Sequence, residues 1–234
     1  YVIGARSASG KRLFILSGQL LCLKNGTAAG HQDDTMQTAQ DIITTYGRTG
    51  ARLREVFFQE RTPLLQKAAL HMARCLIHDG KVLVLGEGAA GICARAAAQA
   101  LLDRLDLDRP ALPAILLPAG SPGGQTADRA ALWQLEALAR PGDALLTFLP
   151  DTAQTAMGPV LALAQETGLS CITLCGRPVA GLSLPGLVID VPDASGAPAS
   201  LVHELLFAAG HLVCRLVDYY LFENVTAIQT VDPQ

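Results

Sequence analysis

The chain has 234 residues, half of them hydrophobic and 17% charged, so it can bury a large core as one domain, or as one domain with an appendage. Its formal net charge of −3 is unlike the clustered positive charge of proteins that bind nucleic acid directly. We find no apolar run near the roughly 20 residues that cross a bilayer. We therefore expect a cytoplasmic protein. Its six cysteines show no CxxC pair and no zinc-ligand spacing, and we expect free thiols.

Helical patterning is missing from the start of the chain. Residues 1–35 are predicted to be an N-terminal appendage, either disordered or folded as a short hairpin that turns at Asn25-Gly26. Helical periodicity then covers residues 36–60. Thr62-Pro63 has the residue types of an N-cap and a first helical position, so a second helix is predicted over residues 64–78. The sequence thus predicts an N-terminal helical pair.

Short apolar strands alternate with glycine-rich loops and helices in the rest of the chain. The strands are predicted at residues 81–85, 114–117, 144–148, 170–174 and 187–191, and a long helix at 200–222 closes the pattern. A strand, a loop and a helix recurring about every 30 residues are typical of right-handed βαβ units. Residues 36–234 are therefore predicted to form one α/β domain, a flavodoxin-like αβα sandwich with a doubly wound, five-stranded parallel sheet flanked by helices.

The first strand leads into a glycine-rich loop, Gly86-Glu87-Gly88-Ala89-Ala90-Gly91. Ligands of doubly wound sheets bind beyond the carboxyl ends of the strands, where the N–H groups of a helix N-terminus favour an anion. The loop has the bare GxGxxG spacing, but no acidic residue follows at the tip of a second strand, so a dinucleotide-binding domain is the weaker interpretation. A strand-to-helix turn with a purely structural role also stays open.

Three segments share order and spacing with one known family. Residues 86–101 read GEGAAGICARAAAQAL, residues 133–146 read WQLEALARPGDALL, and the last helix carries His203-Glu204 and His211. Together they resemble the SIS (sugar isomerase) family, most closely the phosphoheptose isomerases and the DnaA initiator-associating protein DiaA. In that group the first segment reads GNGGSAADAQHxxAEL and the second QVEALxxxGDVL, and the last helix has Gln-Glu and then His. The resemblance covers about residues 36–225.

The resemblance implies a protein that binds a sugar phosphate or a related anionic carbohydrate derivative. It also implies a homodimer or homotetramer, because proteins of this family associate through their helices. The isomerases of the family carry a His and a Glu where this chain has Ala96 and Ala100, and a loop Ser and Asn where it has Ala90 and Glu87. Our main interpretation is therefore a phosphosugar-binding protein with weak or no catalytic activity.

Two alternatives to this interpretation stay open. One is an active aldose–ketose isomerase acting on a phosphosugar of the sedoheptulose 7-phosphate type. The other is a protein-interaction module similar to DiaA, in which the pocket has no ligand-binding role.

Candidate site residues follow from the resemblance and from the loops. Because isomerisation needs a positioned acid and base, the candidate catalytic residues are Glu87, His203 and His211. The candidate ligand-binding residues lie on three loops at the carboxyl ends of the strands: Gly86, Gly88, Ala89, Ala90, Ser121, Thr126, Thr147, Thr152 and Thr155.

No cofactor is expected. Zinc would lack the ligands that the family has at the positions of Ala96 and Ala100. His203 and His211 would be about 12 Å apart along one regular helix, so they can share a metal only if His203 precedes the helix or comes from another subunit.

Overall fold

The computed structural model describes residues 3–6, 12–16, 19–22, 38–103, 106–118, 125–149, 157–176, 184–192, 194 and 196–229. For the first three ranges, and for residues 125–128 and 229, it describes the backbone alone. The chain divides into two compact units, Tyr1–Ile42 and Ile43–Gln234.

The first unit contains a small antiparallel sheet. Its strands are β1 (Ile3–Arg6), β2 (Arg12–Leu16) and β3 (Gln19–Cys22), in the order β1-β2-β3. The predicted turn at Asn25-Gly26 lies outside the described residues.

A reciprocal cap begins the first helix, α1 (Ala39–Ile77). The Thr38 N–H donates to the Asp41 carboxylate at 3.0 Å, and the Asp41 N–H donates to the Thr38 hydroxyl at 3.1 Å. These bonds satisfy two of the donors that a helix N-terminus leaves open. Hydrogen bonds from Thr38 also lower the pKa of Asp41.

The predicted helical pair is instead one continuous helix of 39 residues with Pro63 in its interior. Proline cannot donate to the carbonyl four residues earlier, which is why its position suggested a helix start. The Thr62 hydroxyl donates to the Phe58 carbonyl in the same turn. Arg61 is also anchored across the fold, donating from Nε and Nη2 to the Asp190 carboxylate at 3.2 and 3.3 Å. Phe57 and Leu65 are also buried in one core, on either side of Pro63. These tertiary contacts keep the helix continuous.

The second unit has the predicted five-stranded parallel sheet. Its strands are β4 (Val82–Gly86), β5 (Ala114–Leu116), β6 (Ala144–Leu149), β7 (Ser170–Cys175) and β8 (Leu187–Asp190), in the order β5-β4-β6-β7-β8. The strand order reverses at β4, whose neighbours are β5 and β6. This reversal confirms the doubly wound topology and sets a ligand crevice at the carboxyl ends of these strands.

Helices cover both faces of this sheet. A 3₁₀ turn (Gly88–Ala90) leads into α2 (Gly91–Asp103), followed by α3 (Gln125–Leu138), α4 (Gly158–Glu166), α5 (Ala199–Asp218) with a π-helical end (Tyr219–Glu223), and α6 (Thr226–Gln229). Alternate residues of β6 face opposite layers, as a strand requires. Leu146 and Phe148 join the core with α1, α2 and α5, while Leu145 and Leu149 join the core with α3 and α4.

The last long helix is a core helix. Counted with its π-helical end, Ala199–Glu223 contains an 18-residue window that is apolar enough to span a membrane by composition, with a mean hydropathy of 1.4. Half of that window is buried inside the protein, as is usual for the central helix of a globular fold. The length and composition of this helix are therefore only weak evidence for a membrane span.

Asp143 ties together the starts of β4 and β6. Its carboxylate accepts the Lys81 N–H at 3.0 Å, the Lys81 ammonium at 2.6 Å and the Arg140 N–H at 2.8 Å. The Asp143 side chain is only 3% exposed. A buried carboxylate needs such partners. These bonds hold together the amino-terminal ends of β4 and β6, at the end of the sheet opposite the crevice.

Arg109 joins the end of α2 to α5. Its Nε donates to the Asp218 carboxylate at 2.7 Å, and its Nη1 and Nη2 donate to the carbonyls of Leu101 and Ala100 at 2.8 and 3.0 Å. The Arg109 and Asp218 side chains are both almost fully buried. The guanidinium thus satisfies carbonyls that the end of a helix leaves without partners.

Candidate functional site

The glycine-rich loop is a tight turn attached to the end of β6. The Glu87 N–H donates to the Phe148 carbonyl at 3.0 Å, and the Ala90 N–H donates to the Glu87 carbonyl at 3.0 Å. A Cβ at Gly86 would lie 2.4 Å from the Ala90 carbonyl oxygen, and Gly88 has a φ of 54°. Both positions therefore need glycine, for space at Gly86 and for backbone conformation at Gly88.

A cleft of about 380 Å³ opens beside this turn. It lies between the start of α2, the end of β5 and the middle of α3. Among the described residues it is lined by Gly88, Gly91, Ile92, Arg95, Leu116, Leu117, Pro118 and Gln134. The volume is at the lower end of the range for small-molecule sites, and the position is the crevice that the topology predicts.

The predicted loop residues fall into different parts of this region. Gly88 lines the cleft, while Gly86, Glu87, Ala89 and Ala90 form the turn beside it. Glu87 and Ala90 are buried, with 4% and 0% of their surfaces exposed, and Ala89 is exposed. The turn therefore offers a ligand no side-chain hydroxyl.

Thr147 lies inside the sheet. It pairs with Thr173 of β7 in register, and both side chains are fully buried on the face that packs against α3 and α4. Neither Thr hydroxyl has a hydrogen-bond partner among the residues that the structure describes. The predicted ligand-binding residues Ser121, Thr152 and Thr155 lie outside the described residues, and so does the side chain of Thr126, which belongs to α3.

The two candidate histidines lie on α5, and neither is among the described residues that line the cleft. The His203 carbonyl accepts a hydrogen bond from the Cys93 thiol at 3.7 Å, which joins α5 to α2. The His211 ring packs edge-on against Phe207, with ring centroids 4.5 Å apart. His203 lies inside the helix, so the eight residues between the two histidines separate them by about 12 Å along the axis.

The described side chains at the positions that the resemblance marks do not form a zinc site within one chain. Ala96 and Ala100 offer no ligand atom, and the two histidines of α5 are too far apart to share a metal. The described parts of the chain contain no group of three or more His, Cys, Asp or Glu side chains placed to hold a metal ion.

The structure adds residues to the predicted site. Ile92 and Arg95 follow the glycine turn on the same side of α2, at the i and i+3 spacing that makes helical residues neighbours. That spacing was visible in the sequence. The contributions of Gln134 and of residues 116–118 were not, because they depend on how α3 crosses the end of β5.

The cysteines carry no chemistry at this site. The five whose side chains are described, Cys75, Cys93, Cys171, Cys175 and Cys214, are buried and form no disulfide. Burial raises the pKa of the Cys93 thiol to about 11 and that of the Cys214 thiol to about 12. The Cys93 and Cys214 thiols therefore stay protonated near neutral pH, as expected for structural cysteines.

Comparison with known proteins identifies the family. The model of the SIS domain matches residues 45–176, more than half of the chain. The phosphoheptose isomerase of Desulfovibrio desulfuricans is 36% identical over 205 residues, covering 82% of this chain and 93% of that protein. The phosphoheptose isomerase of the Miyazaki strain of Nitratidesulfovibrio vulgaris is 32% identical over 199 residues, covering 82% of this chain and 94% of that protein.

Solved structures share the fold. The phosphoheptose isomerase from Francisella tularensis superimposes with a TM-score of 0.65 at 23% identity, covering 77% of this chain and 98% of that one. The E. coli CFT073 protein c3406, solved in complex with A5P, superimposes with a TM-score of 0.56 at 17% identity, covering 80% and 96%. With its family model, its isomerase relatives and its parallel sheet in agreement, the chain belongs to the SIS domain family.

Proposed function

We propose that this protein is a phosphosugar isomerase that binds a ketose phosphate of the sedoheptulose 7-phosphate type in the cleft beside the glycine turn. The observation that carries the proposal is the 36% identity to a phosphoheptose isomerase across 93% of that protein's length. The position of the cleft supports it, because the glycine turn, the end of β5 and the start of α2 meet at the crevice where doubly wound folds bind ligands.

The proposed chemistry is a proton transfer between the two adjacent carbons of the carbonyl and the neighbouring hydroxyl. A base must remove a proton from one carbon and an acid must return it to the other. Ala96 and Ala100 leave α2 without acid or base groups at the positions that the resemblance marks. We therefore assign the base to Glu87, whose carboxyl group is on the turn itself, and retain His203 and His211 as candidates contributed across a subunit interface.

Turnover of sedoheptulose 7-phosphate and a panel of ketose phosphates in D₂O tests this proposal. Proton NMR follows both the product and the exchange of the carbon-bound proton. We expect turnover in the wild type, and a loss of about a hundredfold or more in Glu87→Gln and in His211→Ala, because a general acid or base typically contributes about 10²- to 10⁴-fold. Glu136→Gln, an exposed carboxylate on α3, is the matched control. Unchanged turnover in Glu87→Gln would contradict the assignment of the base.

The second candidate function is phosphosugar binding without catalysis. The observation that favours it is that Ala96 and Ala100 give α2 no acid or base group at the positions that the resemblance marks. Ala100 is also buried, with 6% of its surface exposed. Calorimetry with the same sugar phosphates separates the two functions: binding without turnover supports this candidate, and turnover removes it. A DiaA-like interaction role stays a prediction and is the remaining function if neither binding nor turnover is observed.

We also propose that the protein is cytoplasmic and self-associates as a homodimer or homotetramer. The buried free thiols support a reducing compartment. Ile43 of α1 is 68% exposed and Phe207 of α5 is 39% exposed, and the Tyr46 hydroxyl holds these helices together by donating to the Glu204 carboxylate at 2.5 Å. Light scattering on the wild type and on Ile43→Lys tests this. A monomeric wild type would contradict self-association.

A further inference from the structure

A serine and a histidine meet at the amino-terminal end of the sheet, opposite the crevice. Ser170 is the first residue of β7, and its Oγ lies 3.0 Å from Nδ1 of His71 on α1. Ser170 shares one face of β7 with Ile172 and Leu174, which lie in the core with α1. Both side chains of the pair are partly buried. The contact therefore joins two distant segments, at the other end of the sheet from the glycine turn.

The geometry of this contact is that of a nucleophile and its base. A hydroxyl attacks an electrophile readily when a neighbouring base removes its proton, and an imidazole within hydrogen-bond reach can be that base. With the ring proton on Nε2, Nδ1 of His71 accepts a hydrogen bond from the Ser170 hydroxyl. His78, directly after the same helix, instead places its Nδ1 2.8 Å from the Arg74 carbonyl oxygen. The contact with a hydroxyl therefore distinguishes His71 from His78.

The surroundings of His71 favour the neutral imidazole and an anionic reagent. Burial, together with the charges of Lys67 and Arg74, lowers the pKa of His71. The imidazole is therefore neutral near pH 7 and available as a base. The same two cations would attract a negatively charged reagent and stabilise the oxyanion that forms when a carbonyl carbon is attacked. These charges favour an acyl phosphate over a neutral ester as the acyl donor.

We propose that Ser170 and His71 form a nucleophile–base pair and that Ser170 is a site of acylation by small acyl phosphates. The Ser170 Oγ attacks the acyl carbon while its proton passes to His71 Nδ1. The bond between that carbon and the phosphate oxygen breaks, so an ester forms on Ser170 and inorganic phosphate leaves. The imidazolium then releases its proton to the solvent. The step involves no oxidation or reduction, and it does not depend on the function proposed above.

Incubation of the full chain with acetyl phosphate, followed by peptide mass spectrometry, tests the proposal. We expect an acetyl ester on Ser170 that hydroxylamine removes, whereas acetylated lysines resist hydroxylamine. Ser170→Ala should lose this label. His71→Gln should form it about a hundredfold more slowly or less, because a general base typically contributes about 10²- to 10⁴-fold. The labelling rate of the wild type should fall at acidic pH, with its midpoint below about 6.5, since the pKa of His71 is lowered.

His78→Gln is the matched control, because it removes an imidazole that bonds a backbone carbonyl, and it should label at the wild-type rate. Lys67→Ala should slow labelling by acetyl phosphate more than labelling by neutral p-nitrophenyl acetate. An equal effect on both reagents would contradict the preference for an anionic donor.

Circular dichroism checks that each variant is folded. Labelling confined to lysines, or the same rate in His71→Gln as in the wild type, would overturn the proposal. Because the cleft lies at the other end of the sheet, Ser170→Ala should keep the isomerase turnover of the wild type. A wild type without that turnover would contradict the proposed function and leave the acylation result to decide this inference by itself.

Discussion

Replacing Asp143 with Ala should destabilise the protein by about 4 kcal/mol. The carboxylate accepts two backbone N–H groups, from Lys81 and Arg140, and each such bond to a charged group contributes about 1.5 kcal/mol. Its ion pair with the Lys81 ammonium adds about 1 kcal/mol at most, because the Lys81 side chain is 22% exposed and partly solvated. The loss would be a large fraction of the stability of a typical domain, which is about 5–15 kcal/mol.

Urea unfolding followed by circular dichroism measures this loss. With a slope of about 2 kcal/mol per molar urea, the midpoint should fall by about 2 M. Lys81→Met removes the ion pair but keeps both backbone bonds, so it should cost about 1 kcal/mol or less. Glu136→Ala, on the surface of α3, should leave the midpoint unchanged. If Asp143→Ala costs no more than Lys81→Met, the backbone bonds contribute nothing and the reasoning fails.

Three further predictions concern the helix α1, a histidine and the thiols. Pro63→Ala should stabilise the protein by about 1–2 kcal/mol, because it restores a helical hydrogen bond, and a lower urea midpoint would contradict this. Burial, with Lys67 and Arg74, lowers the pKa of His71, so the unfolded state binds the proton more readily and stability falls as the pH drops below about 6.5. His71→Gln should remove that part of the pH dependence, which for one proton is at most about 1.4 kcal/mol per pH unit, and urea midpoints at pH 7.5 and 5.5 measure it. In a Cys22→Ser background, a thiol reagent should react with the remaining cysteines only after denaturation, and rapid native labelling would contradict their burial.

Most of the sheet could be predicted from the sequence. Each strand of the second unit begins and ends within one residue of its predicted bounds, because apolar runs bounded by glycine and proline are typical of strands buried on both faces. The continuity of α1 could not be predicted, since Thr62-Pro63 is a local signal of a helix start. The packing of Phe57 and Leu65 into one core, on either side of Pro63, overrides that signal.

The candidate site could be predicted only in part. The glycine turn was found because its residue types follow from local backbone geometry at Gly86 and Gly88. The separation of His203 and His211 also followed from sequence, since it depends only on helical rise. Gln134 and residues 116–118 line the same cleft but belong to segments that are separate in the sequence. No local sequence pattern specifies that two such segments meet.

The two edge strands of the parallel sheet affect how molecules of this protein can meet. The edges are β5, which is three residues long, and β8, which is four, while the six-residue strands β6 and β7 lie inside. Pro113 and Pro118 flank β5, and Arg61 binds both the carbonyl and the carboxylate of Asp190 at the end of β8. Short, interrupted edges give a strand of another molecule little backbone to pair with. The sheet is thereby protected against edge-to-edge aggregation, so the self-association proposed above would use the helices on its two faces.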